Sequence, residues 1–250
     1  MIHHLTQTTS TNDEARDRRY AHGDIVWAER QTAGRGQRGH SWSSAEGFNL
    51  TFSLVWEPRF LKVAEQFLLS QAVALALTDL MAEEGIDARI KWTNDIYAGD
   101  RKAVGMLIEN DLAGDRLART IVGIGVNVNQ TEFDPSLPNP CSMRQLTGQE
   151  YDRRELLERL AGLLDARYRQ LERGDRQALR EAYRRRLYRL DERHAYRYPD
   201  GRTVQAVLRD VRPTGELLLE LPDGRTEGYL FREIEFVIAA KESRAAETRE

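Results

Sequence analysis

Residues 48–56 read Phe48-Asn49-Leu50-Thr51-Phe52-Ser53-Leu54-Val55-Trp56. Phe48, Leu50, Phe52, Leu54 and Trp56 alternate with Asn49, Thr51, Ser53 and Val55, and a period of two places the two sets on opposite faces of a β-strand. Working outward, Asp24–Arg30 (DIVWAER) predicts a second strand. The intervening QTAGRGQRGHSWSSAEG, residues 31–47, is too rich in glycine and polar residues for either periodicity and reads as a long loop. Further along, Leu61–Glu84 carries Val63, Phe67, Ser70, Ala74, Leu77 and Met81 at helical spacing, with Gly85 as a stop signal. That pattern predicts the main buried helix.

Ala88–Ala98, Ala103–Glu109 and Leu117–Asn129 are short apolar or β-branched runs parted by GDRK and DLAGDR, which predicts a strand and hairpin set forming the sheet centre with the helix packed on it. Ser10–Tyr20 opens with small hydroxyl residues and carries acids in its first turn, so it reads as a capped helix. Asp152–Leu171 repeats Leu156, Leu160, Leu163, Leu164 and Tyr168 at helical spacing, and an arginine-rich helix follows Gly174 to about Leu190. Beyond Asp191, strand alternation broken by PDG, PTGE and PDG turns predicts a small all-β module. The expected organisation is an α+β chain with a mixed sheet and flanking helices over 1–188, a β module over 189–240, and a disordered tail over 241–250.

Composition bounds the function. With 250 residues, 40% hydrophobic and 31% charged, and only 18 glycines and 7 prolines, the chain is neither collagen-like nor a low-complexity polymer. A formal net charge of −3 gives no bulk reason to expect nucleic acid or an anionic membrane as partner. The longest purely apolar stretch, Ala72–Leu77, is far short of the ~20 residues that cross a bilayer. The start, MIHHLTQTTS, has no basic segment followed by an apolar one, so a soluble, cytoplasmic protein is expected. Cys141 stands alone, which fits a reducing compartment. His3, His4, His22, His40 and His194 show no metal-ligand spacing, and Ser41, Ser43 and Ser44 lie in no GxSxG elbow.

Four segments carry chemistry. Ser10-Thr11-Asn12 alone is a helix cap. In Gly34-Arg35-Gly36-Gln37-Arg38-Gly39, close glycines let main-chain N–H groups approach an anion while two arginines supply forked donors; a flexible surface turn is the equal alternative. Lys91-Trp92-Thr93-Asn94-Asp95, followed by Asp100-Arg101-Lys102 and AVGMLIE to Glu109, packs polar groups around Trp92 in an apolar strand, where they need partners. Gly123-Ile124-Gly125-Val126-Asn127-Val128-Asn129 sets glycines in a strand, a mark of close approach by a ligand, or simply of packing against the main helix.

Taken in this order, STN, QTAGRGQRG with SW, KWTND, DRKAVGMLIE and GIGVNVN, the chain resembles the biotin-protein ligases. The resemblance runs from about Ser10 to Asn129 and continues as a plausible C-terminal β module. It implies a class II aminoacyl-tRNA synthetase-like mixed sheet plus a small SH3-like β-barrel. The implied reaction joins biotin to ATP as biotinyl-5'-AMP, then transfers the biotinyl group to one lysine of a biotin carboxyl carrier protein domain. ATP, biotin and Mg2+ would be the cofactors and substrates, and a homodimer is left open.

By the same resemblance, Lys102, Asp95 and Arg35 would be catalytic. Lys102 would lie between the biotin carboxylate and the α-phosphate, Asp95 would orient the acceptor lysine, and Arg35, Arg38 and Lys91 would hold the reacting anions. Biotin would meet Ser10, Thr11, Asn12, Gln31, Gly34 and the main chain at Arg35, with Trp42, Gly105 and Leu107 as walls and Gly123 and Gly125 as floor. The adenylate would meet Gly36, Gln37, Gly39, Trp42, Asn94, Val126 and Asn127 besides the cations. Gln37 stands where many relatives carry arginine, and His40 where a basic residue is common. Bifunctional relatives begin with a DNA-binding module; nine residues precede Ser10, so a ligase without repressor function is expected. The alternatives are a lipoate or octanoate ligase or transferase of the same fold, whose dithiolane substrate would leave Ser10, Thr11 and Gln31 without a matching edge, and a non-enzymatic sensor.

Overall fold

The alternation in the strand at Leu50–Trp56 is borne out, but both of its faces are buried. Leu50, Phe52, Leu54 and Trp56 join the main core, whereas Val55 belongs to a smaller cluster on the opposite face with Ala15, Tyr20, Val26 and Ile121. The structure, a computed structural model, describes residues 1–39 and 41–238 apart from the side chain of Arg38. The expected roles of Arg38 and His40 and the tail at 241–250 therefore lie outside the described residues.

One sheet contains β1 (Ile2–Thr8), β2 (Ile25–Gln31), β3 (Leu50–Trp56), β4 (Ala88–Lys91), β5 (Asp95–Ala98), β6 (Arg101–Ala113) and β7 (Arg116–Val126). Their order is β1-β2-β3-β7-β6-β5-β4; β1 runs parallel to β2 and the other neighbours are antiparallel. A second, antiparallel sheet holds β8 (Arg193–Arg197), β9 (Thr203–Val211), β10 (Leu217–Glu220), β11 (Thr226–Tyr229) and β12 (Glu235–Phe236), in the order β11-β10-β9-β8-β12. The helices are α1 (Thr11–Glu14), α2 (Phe67–Glu83), α3 (Met143–Thr147), α4 (Arg153–Glu172) and α5 (Arg176–Arg185).

Helix α2 is buried on nearly every side, with Leu68, Leu69, Val73, Leu75, Leu77 and Leu80 all in the core, and it ends at Gly85 with φ +71. Val63–Glu83 is long and apolar enough by composition to cross a membrane, yet here it is the central helix between the sheet and α4 and α5. Arg167 and Arg186 clasp its Asp79 at 2.7 and 2.6 Å, tying α4 and α5 to it. Asp152 caps α4, accepting from the N–H groups of Arg154 and Glu155.

Four expectations are corrected. The arginine-rich helix expected to about Leu190 ends at Arg185. The helix expected over Ser10–Tyr20 is a single turn, because the buried guanidinium of Arg119 takes the carbonyls of Ala15, Asp17 and Tyr20. Ala88–Ala98 is a hairpin rather than one strand, so Trp92, Thr93 and Asn94 form its tip. The main helix begins at Phe67, because Leu61 and Val63 pair with the chain near Asp115–Leu117 instead. Strand β1 goes unread in the sequence because its apolar Ile2 and Leu5 do not alternate, as befits an edge strand.

Because Leu77 is fully buried, Leu77→Ala should destabilise the protein by about 2–5 kcal/mol in equilibrium denaturation. Leu137→Ala, at a largely exposed position, should stay within about 0.5 kcal/mol.

Candidate active site

Strand register assembles the site. Thr51, Gly125, Gly105 and Asp95 lie side by side across β3, β7, β6 and β5, and Ser53, Gly123 and Leu107 form the next row. Both rows face away from α2. Over them lie the start of α1, the loop after β2, the tip of the β4–β5 hairpin and Phe231 from the segment between β11 and β12, enclosing a cavity of about 280 Å³. That is near the lower end of the range for small-ligand sites.

The strand glycines do not abut α2. A Cβ on Gly123 would lie 2.1 Å from Asn12 Oδ1, and one on Gly125 would lie 2.2 Å from the Trp42 ring. A Cβ on Gly105 would also press on Trp42, at 2.9 Å. The space freed by three missing side chains is thus taken by Asn12 and Trp42, which line the cavity with them.

Lys102 reaches the cavity through a bulge. It shares the sequence parity of Val104 and Met106, which point into the helix-facing core. Between Ile96 and Tyr97 the β5–β6 register shifts by one, leaving Ala103 as the extra residue and turning Lys102 to the other face. Its ammonium lies 2.7 Å from Asp95 Oδ1 and 5.6 Å from the centre of the Trp42 ring. Lys91, opposite Asp95, sits 5.3 and 5.1 Å from the rings of Tyr97 and Phe236. Burial pulls its pKa down while Asp95 opposes that shift. Burial, then the Asp95 charge, pushes the Tyr97 phenol up to about 12.

The opposite wall is a polar network. Gln31 Oε1 accepts from the Thr11 N–H at 2.7 Å and from the Thr11 hydroxyl at 3.0 Å. Ser53 donates to Asn12 Oδ1 at 2.6 Å, and Asn12 Nδ2 donates to Glu109 at 2.8 Å and to the Leu107 carbonyl at 3.3 Å. Ser10 is buried beside them and makes no capping bond. At the hairpin tip, Asn94 donates to the Met106 carbonyl at 2.7 Å, and Thr93 lies 3.3 Å from Gln37.

The expected residues Ser10, Thr11, Asn12, Gln31, Arg35, Gly36, Gln37, Trp42, Lys91, Asn94, Asp95, Lys102, Gly105, Leu107, Gly123 and Gly125 all border this cavity. Four do not. Val126 points into the core, and Asn127 is buried with its amide donating to the carbonyls of Cys141 and Lys102 at 3.0 and 3.4 Å. Gly34 instead lies against Trp42 and Gln31, and Gly39 is exposed. The Arg35 guanidinium is engaged by Glu109 and Asp13 at 3.0 and 2.6 Å.

Sequence reasoning missed Thr51, Phe231 and Glu109. Thr51 was signalled by its place on the polar side of β3; Phe231 carries no local signal, since it arrives from the segment between β11 and β12. Trp92 joins the two sheets, donating from Nε1 to the Gly215 carbonyl at 2.8 Å and meeting Phe231 edge-on. Among the described residues, no three His, Cys, Asp or Glu side chains stand together as a metal cage. Asp95 is the one carboxylate among the described residues lining the cavity.

Residues 3–127 match the family model described as Biotin/lipoate A/B protein ligase family. The bifunctional ligase/repressor BirA of Bacillus subtilis is 35% identical over 175 residues, 68% of this chain and 54% of that protein. The biotin–acetyl-CoA-carboxylase ligase of Mycobacterium tuberculosis is 31% identical over 231 residues, 89% of this chain and 84% of that protein. The fold is similar to the biotin protein ligase from Aquifex aeolicus solved in complex with biotin and ATP, with a TM-score of 0.80 at 24% identity over 95% of this chain and 99% of that one. The chain spans about half the length of the bifunctional ligase/repressors it matches.

Gly125→Ala is expected to drive the Trp42 indole off the sheet, since the added methyl would overlap its ring. Tryptophan emission should shift to the red, and the shift should vanish in a Trp42→Phe background.

Proposed function

The chain belongs to the biotin/lipoate A/B protein ligase family, and we propose that it activates biotin with ATP and passes the biotinyl group to a lysine of a carboxylase's biotin carboxyl carrier protein domain. The observation that carries this reading is Lys102, turned by the bulge into a cavity floored by glycines and ion-paired there with Asp95. In this reading the larger sheet is class II aminoacyl-tRNA synthetase-like and the five short antiparallel strands form an SH3-like barrel, with the division near residue 188. Left-handed Arg189 and Asp191 just before β8 support that division.

In the first step the biotin carboxylate attacks the α-phosphorus, the new acyl–phosphate bond forms, and the bond to pyrophosphate breaks. Two like charges about 4 Å apart repel by roughly 4 kcal/mol at an effective dielectric near 20. The Lys102 ammonium offsets this repulsion and the charge that builds up in the transition state. Its pairing with Asp95 holds it in place before the anions arrive, which gives Asp95 a part in this step as well. Lys91, across from Asp95 and near the rings of Tyr97 and Phe236, supplies a second cation at the cavity wall.

In the second step the carrier amine must lose a proton, attack the acyl carbon and displace AMP. Asp95 is the carboxylate at the cavity able to orient that amine. Trp42 and the glycine-rich loop keep water from the acyl-adenylate. Among the described residues no cluster of His, Cys, Asp or Glu builds a magnesium cage, so Mg2+ would be held by the phosphate oxygens of ATP.

Biotin is favoured over lipoate by the wall of Ser10, Thr11 and Gln31, whose donors and acceptors suit a ureido edge and have nothing to meet on a dithiolane.

Lys102→Ala should slow pyrophosphate release with biotin and ATP by about 10²-fold or more; a near-normal rate would take Lys102 out of the mechanism. Wild-type protein given ATP, Mg2+ and a carrier domain should load biotin and leave lipoate unused, and preferential loading of lipoate would transfer the reading to the other branch of the family.

A further inference from the structure

The glycine-rich segment doubles back on itself. The Trp42 N–H donates to the Gly34 carbonyl at 2.9 Å, and Arg35 bridges to Ser41. Besides the Thr93–Gln37 contact at 3.3 Å, two contacts among the described residues fasten this small loop to the body of the protein. One is the Trp42 indole lying on Gly105 and Gly125. The other lies on the far side, where Arg35 Nη1 and Nη2 donate to both oxygens of Glu109 at 3.1 and 3.0 Å, and Nη2 also meets Asp13 at 2.6 Å.

Glu109 is two residues past the cavity wall at Leu107 and does not itself line the cavity. Besides Arg35 it takes Asn12 Nδ2 at 2.8 Å and Arg16 at 3.1 Å. Burial raises its pKa, but the Asn12 and Arg35 donors outweigh burial and hold it below the usual carboxylate range. One carboxylate on β6 therefore joins the start of α1 to the loop. The Arg35 charge, offset by Glu109 and Asp13, has little left for an incoming phosphate, so the side chain acts as a tether.

We propose that Glu109 is the positioning residue of the glycine-rich loop, holding Arg35 so that Gly34–Gln37 and Ser41–Trp42 stay over the cavity; its catalytic consequence, retention of the acyl-adenylate, rests on the function proposed above. A bidentate, charge-assisted pair is geometrically demanding, and an amide cannot replace it. Glu109→Gln keeps the side chain's shape but leaves Asn12, Arg16 and Arg35 to compete for one oxygen. Asp111→Asn is the matched control, since Asp111 meets Arg16 at 3.6 Å and has no link to the loop.

The experiment has two arms. In amide hydrogen exchange on the free, full-length protein, Glu109→Gln should speed exchange in peptides spanning 33–43 by about tenfold or more, while the remaining peptides and the Asp111→Asn protein match wild type. Arg35→Met should reproduce the effect, and the double variant should add nothing to it. Unchanged exchange in the loop, or acceleration spread over the whole chain, overturns the proposal. In the second arm, with biotin, ATP and a carrier domain, Glu109→Gln should release more AMP per carrier biotinylated than wild type, and an unchanged ratio overturns the retention role. Should wild type form no acyl-adenylate, the proposed function fails, and the exchange arm still decides whether Glu109 holds the loop.

Discussion

A sheet packed by helices on one face can host a reaction on the other only if the central strands leave room there, and Gly105, Gly123 and Gly125 provide that room. They sit on neighbouring β6 and β7, at the middle of the seven-stranded sheet, where side chains would otherwise fill the space. Into that space come Asn12, from the single turn of α1, and Trp42, from the loop after β2. The cavity is therefore built on a rigid floor with a cover of loop residues, the division of labour expected where binding groups ride on a stable scaffold.

Charge is organised in the same way. Lys102 meets Asp95 at the floor, while Arg35 meets Glu109 and Asp13 at the rim. The two cations stand for two different uses of an ion pair. The inner pair keeps an ammonium ready where negative charge will gather, and the outer pair fastens a loop. The bulge at Ala103 separates these roles, since an unbroken β6 would send Lys102 into the apolar layer beneath, where an unpaired charge is costly. The β module contributes through Trp92, which links the hairpin tip to Gly215, and through Phe231 at the cavity wall. The hairpin bearing Lys91, Asn94 and Asp95 is thereby braced from a part of the chain more than a hundred residues away.

Much of this was legible in the sequence. The alternation of β3, the apolar run of α2 with Gly85 after it, the leucine spacing of α4 and the turn signals of the β module are all set by spacing along a few residues, so they survive without knowledge of the rest. The cavity residues from Ser10 to Gly125 were legible as a set because their segments form a recognisable order. The short α1 was not, because its end is determined by Arg119, about a hundred residues on. The burial of Val126 and Asn127 was not legible either, for a related reason: the ladder turns Val126 into the core, and Asn127, just past the end of β7, spends its amide on carbonyls of neighbouring segments.

The amino-acid sequence by itself determined which elements form and which chemical groups are available to the site, because periodicity, capping and glycine placement act through near neighbours. Only the tertiary structure decided where those groups point and what they touch. Whether Lys102 faces helix or cavity depends on a register shift between two strands. Whether Arg35 grips a ligand or a carboxylate depends on Glu109, 74 residues away along the chain. Such partners are chosen by the packing of distant segments, and no local pattern encodes them.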